Sequence, residues 1–386
     1  MAAFAISSRA VAARRLLSFA VVVLALLGAT PAAAQLAACD QPEAVCDSRS
    51  AVFAISAFDP VGSAVRIGPN RLVTARHVVA DEKDVTLFLA DGTPITAQVI
   101  PSGYRADLVF LEAGGLPPGP SLAVSEAQPD SALFTVGADV GRQQIRAYDA
   151  GAVTALPAQD HSLARLHHTA YSQPGNSGGA LVNAEGYLVG IVASGGEGRF
   201  EAVPATALAA LEAKSGPDFA EESAEIGAAI RICTTLIENH QVTRGRLDAQ
   251  QAKAIATACG RSGNRQLFDL AGQTLGRGGA GEAAVALFER GLAEDPNAIN
   301  TRLGLVITHH LLRDYEAELP HLHWLMERAG DDLQVLRFAI QAGTWAGDTA
   351  LAQRAFERLK QINPQTAPAA ERFLREPPPR PPKLAN

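Results

Sequence analysis

Gly175-Asn176-Ser177-Gly178-Gly179 lies between the polar stretch Tyr171-Ser172-Gln173-Pro174 and the apolar run Ala180-Leu181-Val182. The glycines around Ser177 predict a tight backbone turn that few other residues could follow. Such a turn can lift the serine hydroxyl clear of its own backbone and aim neighbouring N–H groups at one spot. The stretch alone is equally compatible with a surface turn, so chemistry at Ser177 requires a histidine and a carboxylate elsewhere in the chain.

The chain before this turn has the pattern of an all-β domain. Short apolar runs recur between Ala51 and Leu111, and turn signals such as Gly68-Pro69-Asn70 and Asp91-Gly92 separate them. Many short strands with closely spaced turns indicate a barrel or a sandwich. After the turn, residues 187–196 predict a buried strand, residues 200–204 a last strand, and residues 205–214 the start of a helix.

Two candidate partners of Ser177 lie in this β region. His77 follows an apolar run, and Asp107 leads into another. Taken singly, His77 is compatible with a structural role and Asp107 with a turn. Together with Ser177 they follow the order His, Asp, Ser, in which histidine supplies the base that a barely ionised serine hydroxyl needs. Arg76, beside His77, is expected to point outward.

The motifs that hold these residues resemble those of the trypsin-like serine peptidases, among them the bacterial HtrA/Deg-type enzymes. They are Thr74-Ala75-Arg76-His77, Asp107-Leu108-Val109-Phe110-Leu111 and the glycine turn, and the resemblance covers roughly residues 50–210. It implies a double β-barrel fold and a catalytic triad of His77, Asp107 and Ser177. It also implies that the backbone N–H groups of Gly175 and Ser177 form the oxyanion hole.

The same resemblance implies a substrate site. The strand end Ser194-Gly195-Gly196 would pair with the substrate backbone, and Tyr171 and Ser172 would line the pocket for the residue before the scissile bond. The position of Tyr171, six residues before Ser177, holds no aspartate, so we expect a small or medium apolar residue there rather than Arg or Lys. Asn176 replaces the aspartate that pairs with a freed N-terminus in zymogen-activated animal enzymes, so activation by that ion pair is not expected.

The C-terminal half reads as all-α. After Gly216-Pro217 the apolar residues recur at helical spacing, and residues 219–262 predict a helical hairpin. An internal repeat follows, in which Ala284, Phe288 and Pro296 recur 68 residues later as Ala352, Phe356 and Pro364. Residues 265–372 therefore resemble tetratricopeptide repeats, with units near 265–298, 299–332 and 333–366. The middle unit departs from the pattern at Glu318 and Gly330, and the alternative is an unrelated helical bundle.

Stacked helical hairpins form concave surfaces that bind peptides or proteins, so we expect a protein partner on the repeats. The alternative is a scaffold that only positions the β domain. The helical histidines could suggest a metal, but they lack acidic or cysteine ligands in register, so surface positions are favoured. These histidines are His309, His310, His321 and His323. Neither a metal nor a cofactor is expected.

The first 34 residues have the features of a signal peptide. A basic start is followed by an apolar stretch and by Ala32-Ala33-Ala34, which predicts cleavage after Ala34. The apolar stretch is short for a transmembrane helix, so no membrane anchor is expected after cleavage, although a retained anchor is the alternative. Removal of Arg9, Arg14 and Arg15 changes the net charge from −7 to −10, which argues against a nucleic-acid partner. We expect a periplasmic or secreted protein.

Export favours disulfides. The four cysteines allow three pairings, of which the sequence neighbours Cys39–Cys46 and Cys233–Cys259 are preferred. The expected organisation is a multidomain chain: an irregular arm over 35–49, the all-β peptidase domain over 50–214, the disulfide-linked hairpin, the repeats, and a disordered proline-rich tail over 376–386.

The sequence thus predicts an exported serine endopeptidase that cleaves protein or peptide substrates. Two alternatives stay open. One is a catalytically silent member of the fold that acts as a scaffold through its repeats, which the presence of all three triad residues disfavours. The other is an esterase with the same triad, which the peptidase-like motifs disfavour.

Overall fold

The computed structural model describes residues 38–384, and the predicted signal peptide lies outside them. The first helix of the described chain is α1 (Glu43–Ser48), followed by a 3₁₀ turn (Arg49–Ala51), so the arm that we expected to be irregular is helical from Glu43 onward. The Cys39–Cys46 disulfide closes this segment, and the Ser48 hydroxyl donates to the Val45 carbonyl at 2.6 Å. None of the described helices combines the length and apolar character that a membrane span requires.

The first barrel forms from the strands that the sequence predicts before residue 112. Six antiparallel strands close in the order β1-β2-β3-β6-β5-β4. Their bounds are β1 Val52–Ser56, β2 Gly62–Arg66, β3 Arg71–Ala75, β4 Asp84–Phe88, β5 Pro94–Val99 and β6 Leu108–Glu112. Alternate residues of β4 are buried and exposed, as expected when one face of a strand packs inside a barrel. The short helix α2 (Arg76–Val79) continues directly from β3 and carries His77.

The second barrel contains the serine turn. Seven strands are ordered β11-β12-β13-β10-β9-β7-β8, and an additional pairing of β11 with β7 closes the sheet. The strands are β7 Ala132–Asp139, β8 Gln144–Ala147, β9 Gly151–Ala155, β10 Leu166–His168, β11 Ala180–Asn183, β12 Leu188–Gly196 and β13 Arg199–Pro204. A 3₁₀ turn and helix α3 (Leu208–Glu212) follow. The predicted double β-barrel fold is confirmed.

The two barrels share a core, which places the ends of their strands against each other. Val73 and Phe110 of the first barrel and Val136, Ala180 and Val203 of the second belong to one buried cluster. Each barrel also has an apolar interior of its own. Because the barrels pack directly, the residues that follow β3 and those that precede β6 and β11 can meet at their junction.

Within residues 38–384, nine α-helices follow α3, and the apolar spacing predicts that this half is helical. They are α4 Ala220–Thr243, α5 Ala249–Ser262, α6 Arg265–Arg277, α7 Gly281–Glu294, α8 Ile299–Leu312, α9 Tyr315–Arg328, α10 Leu333–Ala346, α11 Thr349–Ile362 and α12 Ala367–Arg375. The Cys233–Cys259 disulfide joins α4 to α5, so both predicted disulfide pairings are present. The first residues of α6, α8 and α10 are spaced 34 residues apart, and so are the first residues of α7, α9 and α11.

The middle hairpin accommodates its departure from the repeat pattern. Glu318 is fully buried, and its carboxylate lies 3.1 Å from Nδ1 of His310. Burial raises the pKa of Glu318 above its usual value, and the hydrogen bond and charge of His310 offset only part of this rise. His323 contacts Asp348 at 2.7 Å, and the rings of His309 and His321 stack. The four helical histidines thus contact protein side chains.

The tail is an extended segment held against the helices. Arg380 pairs with Glu316, Lys383 with Asp314, and the Leu384 N–H donates to the Leu312 carbonyl at 3.1 Å. The sequence predicts disorder from residue 376. The structure instead places residues 376–384 along α8 and α9, because two cations of the tail meet acidic residues at the start of α9.

Candidate active site

His77 and Asp107 meet where the two barrels join. Nδ1 of His77 lies 2.9 Å from Oδ2 of Asp107, and the His77 backbone N–H donates to Oδ1 at 3.0 Å. The Arg76 N–H also donates to the Asp107 carbonyl at 3.0 Å. Asp107 has a φ of +65°, in the left-handed region that is costly for most residues. The ring and the carboxylate are therefore fixed by both side-chain and main-chain contacts.

Asp107 is 2% exposed, so its charge requires compensation. Burial alone would raise the pKa of Asp107, but the charge and hydrogen bonds of His77 and the charge of Arg165 together hold it below its usual range. Nη2 of Arg165 lies 3.6 Å from Oδ2 of Asp107. The carboxylate is consequently ionised at neutral pH and orients the His77 ring with Nε2 away from it.

Ser177 sits in a turn that packs directly on the strand leading to His77. Gly178 has a φ of +81°, and a Cβ added there would overlap the Ser63 carbonyl and the Thr74 hydroxyl and approach the Ala75 nitrogen. The Ser63 N–H donates to the Ser177 carbonyl at 2.8 Å. Only glycine permits this approach, which brings Ser177 beside β3 and α2. Among the described residues, the Ser177 hydroxyl has no hydrogen-bond partner.

The buried Asn176 side chain holds the turn from within the second barrel. Its Nδ2 donates to the Ala138 carbonyl at 3.0 Å, and its Oδ1 accepts from the Gln173 N–H at 2.9 Å. The Tyr148 hydroxyl lies 3.4 Å from the same Nδ2. An amide can both donate and accept here, whereas a carboxylate could only accept. The asparagine thus stabilises the turn through neutral contacts to neighbouring backbone.

The peptide groups on either side of Asn176 are pinned. The Gly175 carbonyl accepts from the Ser63 hydroxyl at 2.7 Å, and the Asn176 carbonyl accepts from the Gly179 N–H at 2.8 Å. Within the described part of the chain, the N–H groups of Gly175 and Ser177 have no acceptor. Two unpaired N–H donors next to a serine hydroxyl are available to bind an oxyanion.

A residue of the helical half reaches the buried carboxylate. Nδ2 of Asn264 lies 2.6 Å from Oδ1 of Asp107. Oδ1 of Asn264 accepts from the Leu267 N–H at 3.2 Å and so caps the N-terminus of α6. One amide therefore joins the start of the repeat helices to Asp107. The sequence gives no sign of this contact, because an asparagine before a helix is typical of an ordinary N-cap.

A buried cluster of charged residues extends from Asp107 into the helices. Arg165 lies 3.6 Å from Glu201, Arg265 contacts Glu201 directly, and His167 lies 2.9 Å from Asp295. The cluster joins β10 and β13 to α6 and to the residue after α7. Burial alone would raise the pKa of Asp295, but the hydrogen bond and charge of His167 and the charge of Arg265 lower it to about 2.

Arg76 takes part in a second contact between the halves. It is buried rather than pointing outward as expected, and its guanidinium donates to the Ser223 carbonyl of α4 at 2.5 Å and to the Ser102 carbonyl at 3.2 Å. Burial lowers the pKa of Arg76 to about 10, although Asp107 and Asp81 raise it. The sequence holds no local signal for this contact, since Ser223 is 147 residues away.

Of the residues expected to bind substrate, Tyr171 and Ser172 precede the serine turn, and Ser194, Gly195 and Gly196 end β12. Tyr171 is 50% exposed, and its ring lies 5.7 Å from that of Tyr148 and 6.2 Å from that of Phe200. Ser172 contacts Thr135 at 3.1 Å. Ser194, Gly195 and Gly196 form the end of β12, where the Ser194 hydroxyl donates to Glu201 at 3.0 Å and accepts from Arg165 at 2.9 Å.

Residues 62–191 match the family model of the trypsin-like peptidase domain. This segment runs from β2 into β12 and includes His77, Asp107 and Ser177. The helical half lies outside it.

Curated relatives match about a third of the chain. A serine protease Do-like HtrA of Lactobacillus helveticus is 27% identical over 133 residues, which cover 32% of this chain and 32% of that protein. A probable periplasmic serine endoprotease DegP-like of Hahella chejuensis is 33% identical over 128 residues, covering 31% and 26%. The chain thus spans about a third or less of the length of these relatives. A solved structure of the Rv3671c protease of Mycobacterium tuberculosis, inactive form, aligns with 46% of this chain and 98% of its own at 22% identity, with a TM-score of 0.39.

Proposed function

We propose, on the premise that residues 62–191 are a trypsin-like peptidase domain, that this chain is a serine endopeptidase. The observation that carries the proposal is the pairing of His77 with a buried, ionised Asp107 beside the turn that holds Ser177. In this proposal Ser177 is the nucleophile, His77 the general base and Asp107 the group that orients His77.

The first half of the reaction forms an acyl-enzyme. His77 Nε2 accepts the proton of the Ser177 hydroxyl as Oγ attacks the carbonyl carbon of the scissile peptide bond. The carbonyl oxygen becomes an oxyanion, which the N–H groups of Gly175 and Ser177 bind. His77 then gives the proton to the leaving nitrogen, the C–N bond breaks, and an ester to Ser177 remains.

Hydrolysis of that ester completes the cycle. Water replaces the departed amine, His77 takes one of its protons, and the hydroxide formed attacks the ester carbon. The second oxyanion is bound by the same two N–H groups. When it collapses, His77 returns the proton to Ser177 Oγ and a carboxylic acid is released. Asp107 stays ionised throughout and stabilises the His77 cation in both halves.

The surroundings of the serine turn favour an apolar residue before the scissile bond. The rings of Tyr171, Phe200 and Tyr148 lie side by side there, and Ser172 is already in contact with Thr135. An aromatic wall without a carboxylate gives no partner for the charge of Arg or Lys. We therefore assign a preference for small or medium apolar residues at that position.

The proposed location is the periplasm or the cell exterior. Residues 1–34 have signal-peptide features, and all four cysteines are paired in disulfides, which persist in oxidising compartments. In this setting the substrates are proteins or peptides. The helical half, whose three hairpins are spaced by 34 residues, would supply a protein-binding surface.

Proteolysis by the purified full chain tests the function. Wild type should convert denatured casein to acid-soluble peptides, and Ser177→Ala should abolish that conversion while keeping the thermal unfolding midpoint. Short alkyl esters tested in parallel separate a peptidase from an esterase. If wild type and Ser177→Ala release peptides at the same rate, or if only esters are cleaved, the endopeptidase proposal is wrong.

A further inference from the structure

The end of strand β12 opens onto a cleft of about 400 Å³ whose other wall is helical. Ser194, Gly195 and Gly196 form one side, and the facing sides of α6 and α8 form the other. We call this space the β12–α6–α8 cleft. Four residues of α6 line it, and their spacing places all of them on one helix face. They are Gln266, Asp269, Leu270 and Gln273.

One edge of β12 is free where it borders this cleft. Strand β11 pairs with β12 only as far as Ile191, whereas β13 pairs with Ser194, Gly195 and Gly196 on the opposite side. In the described chain, the outer edge of these three residues has no strand partner. A free edge offers a row of main-chain donors and acceptors to an extended peptide.

The helical wall also carries polar side chains. Gln266, Asp269 and Gln273 of α6 line the cleft. Gln273 is exposed, so its amide is available to hydrogen-bond to the main chain of an extended peptide.

The wall also exposes apolar side chains. Leu270 of α6 is 36% exposed and Leu311 of α8 is 48% exposed, and both line the cleft with Ile307. Exposed leucines on a wall that also carries polar side chains suit a polypeptide, which has both a polar main chain and apolar side chains. The tail of the chain is not the occupant, because residues 380–384 contact Glu316, Asp314 and Leu312 instead.

We infer that the β12–α6–α8 cleft binds the part of the substrate that precedes the scissile bond. This inference rests on the proposed function, in which the residue before the scissile bond lies beside Ser194. A substrate strand that pairs with β12 at Ser194 and runs past Gly196 passes directly into the cleft. The helices then act as an extension of the substrate site, and they hold the polypeptide being cut rather than a separate partner.

Peptide length tests the inference. The probes are a fluorogenic ten-residue peptide spanning a casein site cut by the full-length enzyme, and the same peptide without its first six residues. We expect kcat/KM to be at least tenfold higher for the longer probe, whereas six residues added after the scissile bond should give no such gain.

Filling the cleft supplies the matched comparison. Gln273→Trp places a ring in the cleft from an exposed position, and Gln250→Trp makes the same change at an exposed position on α5. Gln273→Trp should reduce the long-to-short ratio to near one, while Gln250→Trp should keep the ratio. Two results would overturn the inference but not the proposed function. One is equal kcat/KM for the long and short probes, and the other is an unchanged long-to-short ratio in Gln273→Trp. Failure to cut casein at all removes both.

Discussion

Nδ2 of Asn264 lies 2.6 Å from Oδ1 of Asp107, so the cap of a repeat helix donates to the carboxylate that orients His77. Both side chains are buried. The second oxygen, Oδ2, contacts Nδ1 of the His77 ring. In this arrangement the helical half completes the site, and the geometry of the carboxylate depends on where α6 begins.

Asn264 is a positioning residue, and replacing it should slow the reaction while α6 stays capped. Asn264→Ser and Asn264→Asp both retain an oxygen that can cap the helix. A hydrogen bond to a charged group contributes about 1.5–3 kcal/mol, so kcat/KM of Asn264→Ser should fall about 10- to 100-fold. Steady-state kinetics on the short probe, with helix content from circular dichroism, checks this expectation.

The aspartate variant should also change the pH dependence. Two carboxylates at this distance share a proton, so at neutral pH part of the Asn264→Asp population has a protonated pair that orients His77 poorly. Its kcat/KM should therefore keep rising from pH 7 to pH 9, where Asn264→Ser is level. Equal activity of both variants and wild type, across that range, would show that Asn264 only caps α6.

Asn176 should be required for both stability and rate. Asn176→Asp keeps the acceptor for the Gln173 N–H but replaces the donor to the Ala138 carbonyl with a buried carboxylate. We expect a loss of about 1–3 kcal/mol in the free energy of unfolding and at least a tenfold fall in kcat. Asn183→Asp is the matched control, because the Asn183 side chain only accepts, from the Tyr187 N–H in an exposed turn. The account of the turn is wrong if the two variants behave alike in urea titrations and kinetics.

His168 should make the fold sensitive to acid. Burial and the neighbouring His167 lower the pKa of His168 to about 3, so the unfolded chain, with a pKa of about 6.5 at this residue, binds a proton that the folded chain does not. The free energy of unfolding therefore falls as the pH falls below about 6.5, and the loss continues towards the folded pKa. His168→Phe removes this contribution. The free energy of unfolding of this variant, relative to that of wild type, should therefore rise by about 2 kcal/mol from pH 7 to pH 5. A difference that is constant with pH in urea unfolding would refute the assignment.

Arg265 should stabilise the contact between the barrels and the helices. Arg265→Met leaves the buried Glu201 and Asp295 with one cation fewer, which costs about 3–5 kcal/mol for a buried ion pair. Arg375→Met removes a cation whose pair with Glu376 is exposed, and it should change stability little. Adding Glu201→Gln to Arg265→Met should restore part of the loss. If the two single variants have equal unfolding midpoints, the buried cluster does not stabilise the contact between the barrels and the helices.

The strands of the first barrel and the spacing of the helices follow from local patterns. Short apolar runs between turn signals predict each strand of the first barrel, and the recurrence of Ala284 and Phe288 at Ala352 and Phe356 predicts the outer helical hairpins. Short-range periodicity determines these elements, because each side chain only has to face one core. The two disulfide pairings follow from proximity in sequence.

The contacts between the halves could not be predicted in the same way. Asn264 is 157 residues from Asp107, and the buried Arg265, Glu201, His167 and Asp295 each read in isolation as ordinary surface or cap residues. Their roles depend on burial and on partners brought together only by the tertiary fold. Arg76 was expected to point outward for the same reason. Glu318, which departs from the repeat pattern, is explained only by His310 next to it in space.

The most direct measurement is the mapping of a fluorophosphonate adduct on the full-length wild-type protein by peptide mass spectrometry. Phosphonylation needs a serine oxygen activated by a base and a site for the developing oxyanion, so it reports the arrangement of Ser177, His77, Gly175 and Asp107 in one step. We predict one adduct, on Ser177, that is lost in His77→Ala and slowed about 10- to 100-fold in Asn264→Ser. An adduct on another residue, or a rate on Ser177 unchanged in His77→Ala, would contradict the account.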